Sequence, residues 1–149
     1  MKKIVLLMLA LILAACSAGS PTDFEKNLAK WNDANISHYR YQLFIGCFCP
    51  FAGDMPLTIE VKNGEIVSMT RFDGTTISET DPSYGIYESY ATIDRVFLKL
   101  EADQTGDADE VAVTFDSTYG YPANVAVDNI KEAVDDEISY QVSNFEILE

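Results

Sequence analysis

The chain has 149 residues, 24 of them acidic and 10 basic, which gives a formal net charge of −14 at pH 7. This length fits one domain with a sizeable core. A negative field of this size argues against nucleic acid and anionic surfaces as partners, and it leaves cations, basic peptides and neutral ligands compatible with the chain.

The first 15 residues have the form of a secretory signal peptide. Lys2 and Lys3 precede an apolar run over residues 4–13, which is too short to span a bilayer because spanning takes about 20 apolar residues. The stretch Leu13-Ala14-Ala15-Cys16 then resembles the lipobox of bacterial lipoproteins, in which the cysteine thiol takes a diacylglycerol and the chain is cut before it. The resemblance implies lipidation at Cys16. An ordinary signal peptide with an incidental cysteine is the alternative.

The predicted mature chain consists of a lipidated tether, residues 16–21, and a single domain, residues 22–149. Two or three acyl chains hold a protein firmly on a membrane, because each buried methylene contributes about 0.8 kcal/mol. Ser17 after the cysteine indicates the outer membrane, with the domain facing the periplasm. The five residues after Cys16 span at most about 17 Å, so the domain is predicted to lie close to the membrane.

The first predicted element of the domain is a helix over residues 23–34. Thr22 and Glu25 have the spacing of a capping box, in which each side chain accepts a hydrogen bond from the backbone of the other. Phe24, Leu28 and Trp31 recur at helical spacing. The helix is therefore predicted to bury one apolar stripe.

Three strands are predicted next. Apolar residues alternate over residues 39–47, again over 57–61, and continue over 66–72. Asn63-Gly64 stands between the second and third runs, and this dipeptide between apolar runs is the strongest short-range signal for a β-hairpin.

A long polar segment, residues 73–91, is rich in Thr, Ser, Gly and Tyr and is predicted to be a loop. A loop of this length in a compact domain is either mobile or functional. With the segment 47–56 it forms a candidate contact surface, whose residues are Phe48, Pro50, Tyr84 and Tyr87. The alternative interpretation is that the tyrosines cover the edge of the core.

The second half of the domain is predicted to repeat the order of the first. Thr92 can cap a helix whose buried face starts at Ile93, and strands are predicted near residues 111–115, 125–127 and 138–147. The order α-β-β-β-α-β-β-β predicts an α+β fold, with two helices packed on one face of an antiparallel sheet of about six strands.

Several short motifs occur in a distinctive order and spacing. They are Trp31, Tyr39-Arg40-Tyr41, Cys47-Phe48-Cys49, Asn63-Gly64, Thr92-Ile93-Asp94 before Phe97, Tyr119-Gly120-Tyr121-Pro122, and Asp135-Asp136-Glu137. Together they resemble a family of small bacterial lipoproteins defined as a domain of unknown function, of the 6174 type. The resemblance covers about residues 24–148 and implies one compact domain on a lipid anchor, without implying an activity or catalytic residues.

Cys47 and Cys49 are one residue apart. Residues i and i+2 of a regular strand lie about 6.6 Å apart, whereas the Cβ atoms of a disulfide lie about 3.8 Å apart. A bridge between the two cysteines therefore needs a kink, and the adjacent Gly46 and Pro50 favour one. Because the compartment beyond the membrane is oxidising, a local disulfide that shapes the following loop is the favoured interpretation. A redox pair, or a soft-metal site completed by other side chains, is the alternative; the candidates for the latter are His38, Met55 and Met69.

Acidic residues are concentrated in two segments. The first segment contains Asp103, Asp107, Asp109 and Glu110, and the second contains Asp128, Asp135, Asp136 and Glu137. Calcium takes six to eight oxygen ligands, several of them from carboxylates. The second segment is therefore a candidate metal site, with a solvated acidic loop as the alternative.

No enzymatic motif is found in the sequence. The chain has one histidine, His38, and it has no Gly-x-Ser-x-Gly elbow or glycine-rich phosphate loop. No catalytic residue and no cofactor are predicted, with a carboxylate-pair hydrolase as a minor alternative. The sequence thus predicts a non-enzymatic, lipid-anchored envelope protein that binds a protein or a small ligand. The runner-up is a lipoprotein that binds calcium or a soft metal.

Overall fold

The computed structural model describes residues 20–149, so the signal peptide and Cys16 lie outside the described residues. A short 3-10 turn, Ala52–Asp54, connects the first two strands. The helices and strands are, in chain order, α1 (Asp23–Ala34), β1 (His38–Gly46), β2 (Leu57–Lys62), β3 (Glu65–Thr70), α2 (Tyr84–Glu88), α3 (Ile93–Thr105), β4 (Glu110–Phe115), β5 (Pro122–Asp128) and β6 (Ile138–Ile147).

The six strands form one antiparallel sheet in the order β3-β2-β1-β6-β5-β4. Each half of the chain contributes a three-stranded meander, and the two meanders join where β1 pairs with β6. The predicted α+β fold with about six antiparallel strands is confirmed. The structure adds one short helix, α2, that was not predicted from the sequence.

The start of α1 is set by the predicted capping box. The Thr22 backbone N–H donates to Glu25 Oε2 at 2.6 Å, and the Glu25 N–H donates to Thr22 Oγ1 at 3.2 Å. These two bonds satisfy donors that the first helical turn would leave without a partner. The helix ends at Asn35, whose φ of 47° lies in the left-handed region that asparagine tolerates.

The hairpin between β2 and β3 also follows its prediction. Asn63 and Gly64 both have positive φ, 53° and 79°, which is the backbone of the two-residue turn that matches the twist of antiparallel strands. Local turn chemistry therefore places β3 beside β2 and makes β3 one edge of the sheet.

The sheet has one covered face and one open face. On β1 the alternate residues Tyr39, Tyr41, Leu43 and Ile45 are buried beneath the helices. Removing such large side chains from water contributes about 1.5–3 kcal/mol each. The intervening β1 residues, such as Phe44, point away from the helices; these and their neighbours on β6, β5 and β4 make up the open face.

Two sequence predictions in the middle of the chain were wrong in detail. The segment 73–91 is not a continuous loop, because α2 forms within it. The third helix continues to Thr105, so Asp103 belongs to a helix and not to an acidic loop. The Oδ2 atom of Asp103 accepts a hydrogen bond from the Tyr140 hydroxyl at 3.1 Å, and this bond connects α3 to β6.

Within residues 20–149, none of the helices combines the length and the apolar character that crossing a membrane requires.

Candidate functional site

A row of small residues crosses the open face from the centre of the sheet to its β4 edge. Gly46 pairs with Ser139, Ser139 with Ala126, and Ala126 with Ala112, so the row spans four neighbouring strands at one level. Two adjoining shallow cavities, of about 280 Å³ and about 370 Å³, lie over it and share Ala112, Ala126 and Ser139 as lining residues. This surface is called the open-face groove below.

The groove depends on a glycine at its central end. A Cβ atom added to Gly46 would lie 2.6 Å from Ser139 Oγ and 3.2 Å from the Phe44 ring. Contacts below 3.0 Å require a shift of the neighbouring atoms, so glycine allows Ser139 and Phe44 to close around this position. Phe44 is 43% exposed and forms one wall of the groove. The same wall continues over the next strands with Gln141, Asn124 and Thr114.

The opposite rim of the groove consists of three carboxylates. Asp128 pairs directly with Glu110 across β5 and β4, and Glu137 precedes Ile138, which pairs with Val127. All three acidic residues line the same cavity. They are called the acidic row below, and like charges placed directly opposite each other on a sheet repel.

The acidic row carries negative charge that the surrounding protein does not fully neutralise. Partial burial raises the pKa of Asp128, and the neighbouring acids Asp136, Glu137, Asp109 and Glu110 raise it further. Both carboxylate oxygens of Asp136 are buried and have no hydrogen-bond partner among the described residues. The amine of Lys131 lies 3.3 Å from Glu110 Oε2, but both side chains are well exposed, and such pairs contribute about 0–1 kcal/mol.

The predicted calcium ligands do not converge. In the part of the chain that the structure describes, no three His, Cys, Asp or Glu side chains are placed so that they could hold a metal ion. Asp135 and Glu137 are exposed, Asp136 has its oxygens buried, and Asp128 lies at the end of β5. Among the described residues these four acids form a charged surface, and the calcium site stays a prediction.

The two cysteines that follow β1 form a disulfide. Strand β1 ends at Gly46, and the chain bends so that the Cα atoms of Cys47 and Cys49 lie 5.2 Å apart. Because both sulfurs are used in this bond, the pair offers no thiolate to a soft metal. The intervening Phe48 is 87% exposed, and Pro50 is exposed as well. These two candidate contact residues lie at the same end of the sheet as the acidic row.

Of the two candidate contact residues on α2, Tyr87 requires a correction. Tyr87 is completely buried, its ring packs edge-on against Phe51, and its hydroxyl donates to Asp54 Oδ2 at 2.6 Å. Burial and this hydrogen bond raise the pKa of Tyr87 to about 12. Tyr84 is half-buried against the core. Tyr87 thus covers the core, which is the alternative that the sequence had left open.

Sequence reasoning did not identify the floor of the groove. A weak signal for it exists, because Ala112 and Ala126 stand between inward-facing valines at strand positions that usually carry larger polar side chains. Small residues at outward positions on two neighbouring strands indicate a depression. Ala112 and Ala126 indicate a groove at a defined place only once the strand register aligns them with Gly46 and Ser139.

The fold and the groove define a single-domain α+β protein whose antiparallel sheet is covered by helices on one face and open on the other. The family of unknown function DUF6174 matches residues 23–147. The chain belongs to this family, and the resemblance drawn from the order of its motifs is confirmed. The search of the curated proteins returns no match.

Proposed function

We propose that this protein is a lipid-anchored protein of the bacterial cell envelope and that its domain is a non-enzymatic binding module. The observation that carries the proposal is the open-face groove. Four strands meet there with small side chains on the floor, and no helix within residues 20–149 covers them. Phe48 lies two residues beyond Gly46 in the chain and is 87% exposed, which supports including it with the groove in the proposed binding surface.

The anchor is supported by the leader sequence and by the position of α1. The lipobox-like stretch ends at Cys16, and Thr22 caps α1 six residues later. Six extended residues reach about 20 Å, so a lipid at Cys16 would hold the domain beside the membrane surface. Ser17 after the cysteine favours the outer membrane, with the domain facing the periplasm.

A binding role is supported by the chemistry of the groove. Its lining side chains include the Ser139 hydroxyl and carboxylates but no histidine, cysteine or lysine. The single histidine, His38, stands at the opposite end of β1, where its Nε2 lies 2.9 Å from Glu60 Oε1 and its Nδ1 lies 3.0 Å from the Glu149 carbonyl oxygen. Among the described residues, no histidine stands beside Ser139 to activate its hydroxyl as a nucleophile.

The lipid anchor is tested by comparing the native chain with Cys16→Ser in bacterial cells fed a labelled fatty acid. We expect the native protein to carry the label and to fractionate with the membranes. The Cys16→Ser variant should carry no label and should leave the membrane fraction. Cys47→Ser/Cys49→Ser is the matched control, because it removes cysteines outside the leader and leaves no unpaired thiol. Equal labelling of the native and Cys16→Ser proteins would overturn the anchor.

The binding role is tested by filling the groove. Ala126→Trp places a large ring on the groove floor, and Ala102→Trp places the same ring on the exposed side of α3. In detergent-solubilised envelopes we expect the native protein and Ala102→Trp to migrate on a native gel as a complex larger than the protein alone. Ala126→Trp should migrate alone. A complex that Ala126→Trp leaves intact would contradict the assignment of the groove.

A further inference from the structure

We infer that the open-face groove binds an extended segment of a partner protein that carries Lys or Arg side chains, with these cations lying along the acidic row. The inference rests on the proposed function and names the chemistry of its ligand. Three features support it: the dimensions of the groove, the polar side chains along its wall, and the negative charge of the acidic row on the opposite rim.

The dimensions fit a short stretch of extended chain. The row from Gly46 to Ala112 crosses four strands, and three inter-strand spacings of about 4.8 Å give a length of about 14 Å. About four residues of extended peptide have this length at about 3.3 Å per residue. The small floor residues allow a peptide backbone to approach closely. The side-chain amides of Asn124 and Gln141 in the wall can both donate to it and accept from it.

The charge on the acidic row selects a cationic segment. In the described residues, neither Asp128 nor Glu137 forms a salt bridge, and Asp128 faces Glu110 directly across the sheet. Asp136, one residue before Glu137, acts on Asp128 from outside the groove, and its two carboxylate oxygens are buried without a hydrogen-bond partner among the described residues. A cation placed along the row would relieve this repulsion. An anionic segment would add to it, so the row selects against partners of the wrong sign.

The position of Lys131 shows that an ammonium group fits beside the row. Its amine lies 3.3 Å from Glu110 Oε2 in a pair that is exposed on both sides. An exposed pair of this kind contributes about 0–1 kcal/mol, so a ligand cation can replace the lysine with little loss. Glu110 and Asp128 stand on neighbouring strands and Glu137 directly precedes the next strand, and this arrangement suits separate ammonium or guanidinium groups better than a single metal ion.

The experiment is a fluorescence-anisotropy titration of the full chain in neutral detergent. The probe is the labelled peptide acetyl-Ala-Lys-Ala-Arg-Ala-Lys-amide, and its matched control has glutamate at the three basic positions. The double variant Glu110→Gln/Asp128→Asn removes two charges of the acidic row. Glu65→Gln/Glu146→Gln removes two charges from β3 and from the far end of β6 and serves as the matched variant. Thermal melts verify that both variants are folded.

We expect the basic peptide to bind and the acidic peptide not to bind. The acidic-row variant should weaken binding about tenfold or more, because each lost charge contact at an interface costs affinity. The matched variant should change the affinity for the basic peptide less than about twofold. Raising the salt to 0.5 M should weaken the binding of this peptide to the native protein, since salt screens contacts between charges. Binding that is indifferent to the acidic-row variant, or equal binding of the acidic peptide, would overturn the inference. So would displacement of the peptide by millimolar calcium, since this would identify the row as a metal site.

The failure of this inference is distinguishable from the failure of the proposed function. If Ala126→Trp abolishes the envelope complex while the basic peptide does not bind, the groove is a binding surface for a ligand of different chemistry. If the groove-filling variant leaves the complex intact and the basic peptide does not bind either, both proposals are wrong.

Discussion

The indole Nε1 of Trp31 donates a hydrogen bond to Asp94 Oδ1 at 2.9 Å and so joins α1 to the first turn of α3. Trp31 is 5% exposed, and its ring meets Tyr39, Tyr121 and Phe145 edge-on. One side chain thus connects both long helices to the central strands. This contact helps to hold the two long helices on one face of the sheet, and the described helices leave the other face open.

Replacing this tryptophan tests the contribution of the contact. Trp31→Phe keeps an aromatic ring but removes the N–H group and part of the packing, so we expect the free energy of unfolding to fall by about 2–4 kcal/mol. Asp94→Ala removes the acceptor, together with a carboxylate that favours the positive end of the α3 dipole, and should cost about 1–2 kcal/mol. Urea unfolding followed by circular dichroism measures both changes. A loss below about 0.5 kcal/mol for Trp31→Phe would mean that the contact is peripheral.

The burial of Tyr87 predicts that removing its hydroxyl lowers the stability more than removing the hydroxyl of Tyr84 on the same helix. Tyr87→Phe removes the hydroxyl that donates to Asp54, a carboxylate that also pairs with Arg71 Nε at 2.9 Å. A hydrogen bond to a charged group contributes about 1.5–3 kcal/mol, so the stability should fall by about that amount. Tyr84→Phe is the matched control on the same helix and should stay within about 0.5 kcal/mol of the native value. Equal effects of the two substitutions would contradict the structural role of Tyr87.

The disulfide predicts a small effect on global stability. The bridge between Cys47 and Cys49 encloses one intervening residue, and loop-closure entropy for so short a ring gives less than about 2 kcal/mol. Chemical denaturation of Cys47→Ser/Cys49→Ser should therefore show a folded protein with a modestly lower midpoint. Hydrogen exchange should show the change confined to the loop before β2. A double variant that fails to fold would contradict a purely local role.

The raised pKa of Asp128 predicts how stability depends on pH. Because the folded protein holds this proton more tightly than the unfolded chain, stability falls as the pH rises from the ordinary carboxyl value of 3.8 through the raised folded value. Asp128→Asn removes the ionised group and should raise Tm at pH 7. The gain should vanish below pH 3.8, where native Asp128 is protonated in both states. A series of thermal melts measures the difference. A gain that persists at low pH would contradict an electrostatic origin.

The elements that the sequence predicts well are those determined by neighbouring residues. The capping box of Thr22 and Glu25 and the turn at Asn63-Gly64 satisfy their own backbone locally, so α1 and the β2–β3 hairpin follow from short stretches of sequence. The short helix α2 was missed because its Gly85 and aromatic residues have little intrinsic helix preference. It is held instead by contacts of Tyr87 with Phe51 and Asp54, which lie more than 30 residues earlier.

The groove could not be predicted for a related reason. Gly46, Ala112, Ala126 and Ser139 come from four strands, and they form a continuous floor only when three strand pairings place them at one level. A shift of one residue in any pairing would turn the floor residues towards the core. Composition predicted the excess of acidic residues, but only the strand register shows which of them line a surface.

The most direct test of the binding role is site-specific photocrosslinking in intact envelopes. A photoreactive benzophenone side chain replaces Phe44 in the wall of the groove, a position that already carries an aromatic ring, and in a second protein it replaces Ala102 on α3. We expect one discrete adduct from position 44 and none from position 102, with the adduct reduced by Glu110→Gln/Asp128→Asn. Identical crosslinking from the two positions, or an adduct unaffected by loss of the acidic row, would contradict the groove as a charge-selective binding surface.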